Sequence, residues 1–203
     1  MGRKSRVWYP GAVYHVMSRG NRKFALFQKR EDYNIFLQLT RSVMDKNPYV
    51  IHAYCLMTNH FHLLIETKED PLWVIMHKIL GNYAQHYNYK YHYNGHLFEN
   101  RYTSRLIEDD RYFLEVSRYI HLNPVKAAMV QEPLAYPYSS YRNYILEDDK
   151  TLPDHIETDR VLGLFPIDSK KEYRIFVEGS KSHEDQERLI MKDMRENEFW
   201  VPK

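Results

Sequence analysis

Apolar residues recur along this chain in two rhythms, one of period two and one near 3.6, and their order sketches a fold. From Ala12 to Ser18 the run AVYHVMS is rich in β-formers and ends on the turn signal Arg19-Gly20-Asn21, which predicts a first strand. Between Glu31 and Lys46, Tyr33, Phe36, Leu37, Thr40 and Met44 fall at helical spacing, and Asn47-Pro48 supplies a stop. Tyr49–Met57 and His60–Thr67 are short apolar runs separated by Thr58-Asn59, the pattern of an antiparallel hairpin. Pro71 opens a long helix lined by Leu72, Met76, Ile79, Leu80, Tyr83 and Tyr87, and Asn94-Gly95 ends it. Arg101–Ile107 predicts a fourth strand. Asp109 or Asp110 can then cap a helix carrying Tyr112, Phe113, Val116, Tyr119 and Ile120, with Asn123-Pro124 as its expected limit.

The order strand, helix, strand, strand, helix, strand, helix predicts an α+β protein. Its expected architecture is a ferredoxin-like, four-stranded, mostly antiparallel sheet with helices packed on one face. Residues 1–146 would form this domain. The acidic cluster Glu147-Asp148-Asp149 reads as a linker to a C-terminal extension, 147–203, with helical patterns near 158–165, 169–178 and 183–197.

Composition adds constraints. With 203 residues, 43% of them hydrophobic, the chain can bury a substantial core. The single cysteine, Cys55, rules out an intramolecular disulfide, lies in an apolar run where a reduced thiol is expected, and suggests a cytoplasmic home. Neither a secretory leader nor a membrane span is expected, because no apolar stretch is long enough. The net charge of +2 conceals an asymmetry: residues 1–50 hold ten Lys and Arg against three Asp and Glu, whereas residues 151–203 hold nine against twelve. A local basic excess suits a polyanion such as a phosphate backbone, and equally a solvated basic surface.

Two places could carry chemistry. Side chains two apart on a strand share a face, so His60 and His62 project together and could hold one divalent ion, although a His-x-His pair is also compatible with ordinary polar or core histidines. On the last predicted helix Tyr119 and Asn123 stand one turn apart on one face, so Asn123 could complete a three-ligand site beside Tyr119. Tyr119 also lies on an apolar stripe, and a core role is open to it. His121 falls about 200° around the helix from Tyr119 and should point elsewhere.

From about Tyr14 to Tyr144 the chain resembles a family, the HUH-type (His-hydrophobic-His) single-tyrosine transposases, and within it the REP-associated tyrosine transposases of bacteria. The resemblance rests on four segments in order. They are Tyr14-His15-Val16 with Ser18-Arg19-Gly20-Asn21, Met57-Thr58-Asn59-His60-Phe61-His62-Leu63-Leu64, Gly95-His96-Leu97-Phe98-Glu99-Asn100-Arg101-Tyr102, and Arg118-Tyr119-Ile120-His121-Leu122-Asn123-Pro124-Val125-Lys126-Ala127.

The resemblance implies a nucleophilic Tyr119, metal-binding His60 and His62, and Asn123 at a position where relatives carry an amide ligand. The implied reaction nicks and rejoins single-stranded or hairpin-bearing DNA, such as REP-like imperfect palindromes, through a 5′-phosphotyrosine. Two imidazoles and an amide suit Mn²⁺ as well as Mg²⁺. Arg19, Asn21, Arg22 and Lys23, with Arg101 and Arg105 as a second group, are candidate DNA contacts. Such a protein would act as a monomer or homodimer at the nucleoid. Two other functions fit the same residues: a metal-dependent nuclease in which water attacks and Tyr119 is structural, and a non-catalytic nucleic-acid-binding module that uses its sheet as a platform.

Overall fold

The computed structural model describes residues 8–147, 149–179, 190 and 192. Four strands, β1 (Val13–Arg19), β2 (Tyr49–Met57), β3 (His60–Thr67) and β4 (Thr103–Ile107), form one sheet in the order β2-β3-β1-β4. Every neighbouring pair is antiparallel. This is the expected ferredoxin-like arrangement.

The long helices are α1 (Arg30–Met44), α2 (Leu72–Tyr91) and α3 (Asp110–Lys126). The side chain of Asp109 caps α3 by accepting from the Tyr112 amide at 2.7 Å. At the start of α1, Asp32 accepts from the Gln28 and Lys29 amides, each at 2.8 Å. α3 does not stop at Pro124. Proline forfeits one hydrogen bond to the preceding turn, but the helix runs on to Lys126 and turns out only near Ala128, at φ 54°.

Helices cover both faces of the sheet, which corrects the expectation of one. α1 and α2 bury Phe36, Ile75, Ile79 and Tyr83 against Tyr14, Val16, Phe61, Leu63 and Ile65. α3 lies on the opposite face, where Phe113, Val116 and Ile120 share a core with Val13, Ala53, Cys55 and Leu64. The reason lies in the strands themselves. β2 and β3 are apolar at odd and even positions alike, so leaving either side in water would expose a row of large side chains. A bulge between Ile51 and Ala53 sets His52 on the α3 face, where its ring meets Phe113 edge-on.

Beyond α3 the chain adds α4 (Tyr141–Ile145), α5 (Asp159–Leu162) and α6 (Ser169–Glu178). The last two match the helical patterns seen in the sequence; of the third, 183–197, only residues 190 and 192 are described. Tyr173 and Val177 of α6 enter the α3 core, and Arg118 Nε donates to the Phe176 carbonyl at 2.8 Å. His121 is fully buried between Tyr173 Oη, at 2.7 Å from Nδ1, and Ser140 Oγ, at 2.8 Å from Nε2. Among the described residues no helix is long and apolar enough to cross a membrane.

Candidate active site between the sheet and α3

Strand pairing assembles the site from three elements. In the register of β1 against β3, Arg19 stands opposite His60 and Met17 opposite His62. His15, His62 and His60 therefore all lie on the α3 face. The His60 and His62 rings are 5.1 Å apart and nearly perpendicular. Tyr119, only 6% exposed, presents its ring edge-on to His62 at 5.5 Å and to His15 at 5.7 Å. Phenol and imidazoles thus converge in the space between α3 and the sheet.

The hydrogen bonds around the histidines select which nitrogens remain available. Asn59 Nδ2 donates to the Lys23 carbonyl at 3.3 Å, which turns its oxygen toward His60 Nδ1 at 2.8 Å. An amide oxygen only accepts, so the His60 proton belongs on Nδ1 and the lone pair on Nε2. His62 Nδ1 meets His15 Nε2 at 3.0 Å, a bond in which either ring can supply the proton; when His62 donates, its Nε2 is the lone-pair nitrogen. Metal-binding imidazoles are held in this way, by a partner on the far nitrogen. Two rings sharing one ion through bonds of about 2.1 Å have centroids roughly 5 Å apart, as these do.

Protonation favours the same role. Burial holds His15 down at about 3, and burial together with the Arg19 charge holds His60 at about 4. His62 lies well below the ordinary imidazole value through burial and its two histidine neighbours. All three rings are neutral at neutral pH, the form that ligates. Among the described residues no group of three or more His, Cys, Asp or Glu side chains is disposed around one ion, so this pair would need neutral donors besides. Asn123, on the same helix face as Tyr119, is the candidate for one. It stands half-buried a turn beyond Tyr119, and its Nδ2 donates to the Tyr119 carbonyl at 2.8 Å, leaving the amide oxygen as a donor atom. The residues present fit a divalent metal.

The basic residues divide into distinct places. Arg19 Nε pairs with Glu99 at 2.9 Å beside His60. Arg22 and Lys23 are exposed in the loop after β1, at φ 51° and 61°, a left-handed pair that costs strain for side chains with a Cβ. The loop is pinned by the Gly20 amide on the Asn59 carbonyl at 2.8 Å and the Leu26 amide on the Thr58 carbonyl at 2.8 Å. Gly20 is needed there because a Cβ would lie 2.2 Å from the Phe24 carbonyl oxygen. Asn21 joins the same loop to the segment before β4 through its amide and the Leu97 carbonyl at 2.8 Å. Arg105 stands opposite His15 on β4, whereas Arg101 lines a groove beside α2 and is not part of this cluster.

Sequence reasoning overlooked three residues. His15 reads as one more strand residue until the register brings it diagonally across to His62. Lys126, with its Nζ 5.0 Å over the Tyr119 ring, could have been found from the helical period, being seven residues along the same stripe. Glu99 had no local signal, since its place comes from a loop bonded along the end of β1.

The sequence comparisons give the protein a family. Residues 9–123 match the model of the family described as "Transposase IS200 like", more than half of the chain, and the protein belongs to that family. It is 28% identical over 123 residues to a Haemophilus influenzae protein described as a REP-associated tyrosine transposase, a match covering 54% of this chain and 69% of that one. Its fold resembles a solved REP-associated tyrosine transposase bound to a REP hairpin, with a TM-score of 0.62 and 18% identity over 70% of this chain and 84% of the other. A Deinococcus radiodurans transposase structure aligns over 59% of this chain and 95% of its own, at 17% identity and a TM-score of 0.42.

Proposed function

We propose that this transposase nicks and rejoins single-stranded, hairpin-bearing DNA, with Tyr119 as the nucleophile and His60, His62 and Asn123 holding Mg²⁺ or Mn²⁺. One observation carries the reading: the Tyr119 ring meets His62 at 5.5 Å on the face of the sheet that also presents His60. The REP hairpin bound to the structural relative makes a folded-back single strand the first substrate to test.

A phenol with an ordinary pKa of about 10 is a weak nucleophile at neutral pH, so the phosphorus must be made more electrophilic. His60, His62 and Asn123 would hold a divalent ion, which when bound would supply Lewis-acid stabilisation of the charge developing on the phosphate. The chain's own residues do the rest. α3 directs Tyr119 at the phosphate, Lys126 lies over its ring, and Arg105 stands across β1 from His15, while Arg19, paired with Glu99, stands across the strands from His60. As the Tyr119 Oη–P bond forms and the phenolic proton is lost, the bond from phosphorus to the 3′-oxygen breaks, and that oxygen leaves as a hydroxyl after taking up a proton. A 5′-phosphotyrosine results. One phosphoester replaces another, so a different 3′-hydroxyl can reverse the step and join a new strand without ATP. The reading places the protein in the cytoplasm, at the nucleoid.

The test is a hairpin oligonucleotide with single-stranded flanks, incubated with the protein and Mn²⁺ and resolved under denaturing conditions. A covalent protein–DNA band that disappears in Tyr119→Phe is expected. Cleavage that persists in Tyr119→Phe with no covalent band would instead identify a nuclease in which water attacks.

A further inference from the structure

A groove that Tyr119 does not line runs between α2 and the segment Gly95–Tyr102, with a volume near 800 Å³. That size is within the range of about 300–1,000 Å³ typical of sites for small organic groups. One wall is a face of α2 on which Trp73, His77, Gly81 and Ala84 follow at helical spacing. Trp73 is 63% exposed on this wall, so a face of its ring is open for stacking. Gly81 is the oddity. In mid-helix a glycine is less stable than alanine by roughly 1 kcal/mol. No neighbour requires it here, because a Cβ at this position would meet nothing within 4 Å. What the glycine does is leave the floor of the groove open.

The opposite wall ties the groove to the candidate active site. The Glu99 amide donates to the Arg19 carbonyl at 3.0 Å, and the Glu99 carboxylate pairs with Arg19, which stands across the strands from His60. Because α2 and the histidine pair lie on opposite faces of the sheet, a strand that reached both would pass round the end of β1 at Arg19 and Glu99. The Glu99 charge is already matched by Arg19, so the remaining charge in the groove is the exposed Arg101, with the imidazoles of His77 and His96 beside it. An aromatic plate, an open floor and an unopposed guanidinium suit a stacked base with its phosphate, the combination by which proteins hold single strands.

We infer that this groove holds unpaired nucleotides of the DNA strand flanking the hairpin, with Trp73 stacked on a base and Arg101 facing the phosphates. The inference rests on the DNA-processing reading above, but its test is binding rather than cleavage. Affinity is measured without metal for two labelled probes, the same hairpin with and without single-stranded flanks. The wild type should prefer the flanked probe. Trp73→Ala, and Gly81→Leu, which fills the floor from an unobstructed position, should each reduce that preference on the order of tenfold while binding the blunt hairpin as before. Gly81→Ala, too small to fill the groove, should keep it, and melting curves establish that the variants are folded. Should Gly81→Leu not fold, Trp73→Ala and His77→Ala carry the test.

A wild type that shows no preference for flanks, or variants that retain it, would overturn the assignment. So would a groove occupied by a second copy of the chain, which Trp73→Ala would reveal as a change of mass in solution with flank preference intact. None of these outcomes touches the covalent band at Tyr119, so failure here is separable from failure of the strand-transfer reading.

Discussion

The two faces of the sheet are made by the same strands and serve opposite ends. On β3, Phe61, Leu63 and Ile65 point to α1 and α2 and join a core of Phe36, Ile79 and Tyr83. The residues between them on the α3 side begin with His60 and His62, whose rings meet each other, and His62 meets His15 and Tyr119 instead of more hydrocarbon. One face spends its alternate positions on packing, and the other holds neutral imidazoles in a dry cleft where desolvation keeps them unprotonated. Neighbouring residues in sequence can therefore be expected to fail in different ways.

Phe61→Ala should give the largest loss of stability, about 3–5 kcal/mol in urea unfolding, because a fully buried ring leaves a cavity among Phe36 and its neighbours. His62→Ala, one residue away, should cut Mn²⁺ affinity by roughly a hundredfold or more while costing less stability than Phe61→Ala. Titration calorimetry beside the melts would read both, and a His62→Ala protein that binds metal normally would dissolve the contrast. His15→Ala should lower Mn²⁺ affinity by about 10–100-fold by freeing the His62 tautomer, with His15→Gln recovering part of it through its amide. Equal affinity in all three proteins would leave His15 a packing residue.

Acid should separate the two faces as well. His15 and His121, on the α3 side, have folded values of about 3, below the unfolded imidazole value of about 6.5. As pH falls through that window the unfolded chain takes up protons that the folded one refuses, so each ring withdraws up to about 1.4 kcal/mol per pH unit. Asp32, under α1 and α2, behaves differently. Burial opposes its charge, but Lys90, Tyr91 and two backbone amides outweigh this and lower its value, so its contribution persists above the ordinary carboxylate range and is lost only as pH falls below it. In chelator, the urea midpoint should already decline between pH 6.5 and 5; a flat profile there would argue against neutral buried rings. The smallest effect belongs to the surface: Arg19→Ala should flatten the salt dependence of DNA binding by about one unit of slope, measured by anisotropy across a salt series.

The elements were legible because each is announced locally. The i, i+3, i+4 spacing of Tyr33, Phe36 and Leu37, the Asp109 cap and the two-residue turn at Thr58-Asn59 state helix, start and hairpin in a few residues. The facing of His60 and His62 was legible for the same reason, since strand parity is a property of adjacent residues. The double layering of helices had a signal too, in the unbroken apolar run of β2, though an alternating reading misses it.

What the chain order of residues determined by itself was therefore the set of helices and strands, the shared face of two histidines, and the shared face of Tyr119 and Asn123. Tertiary structure alone decided that these faces meet, that His15 supports His62, that Glu99 comes from a distant loop to hold Arg19, and that Arg101 opens onto a separate groove. Such relations depend on strand register and on which side of the sheet a helix crosses, and both are settled by the packing of residues far apart in the chain, where no local periodicity reaches.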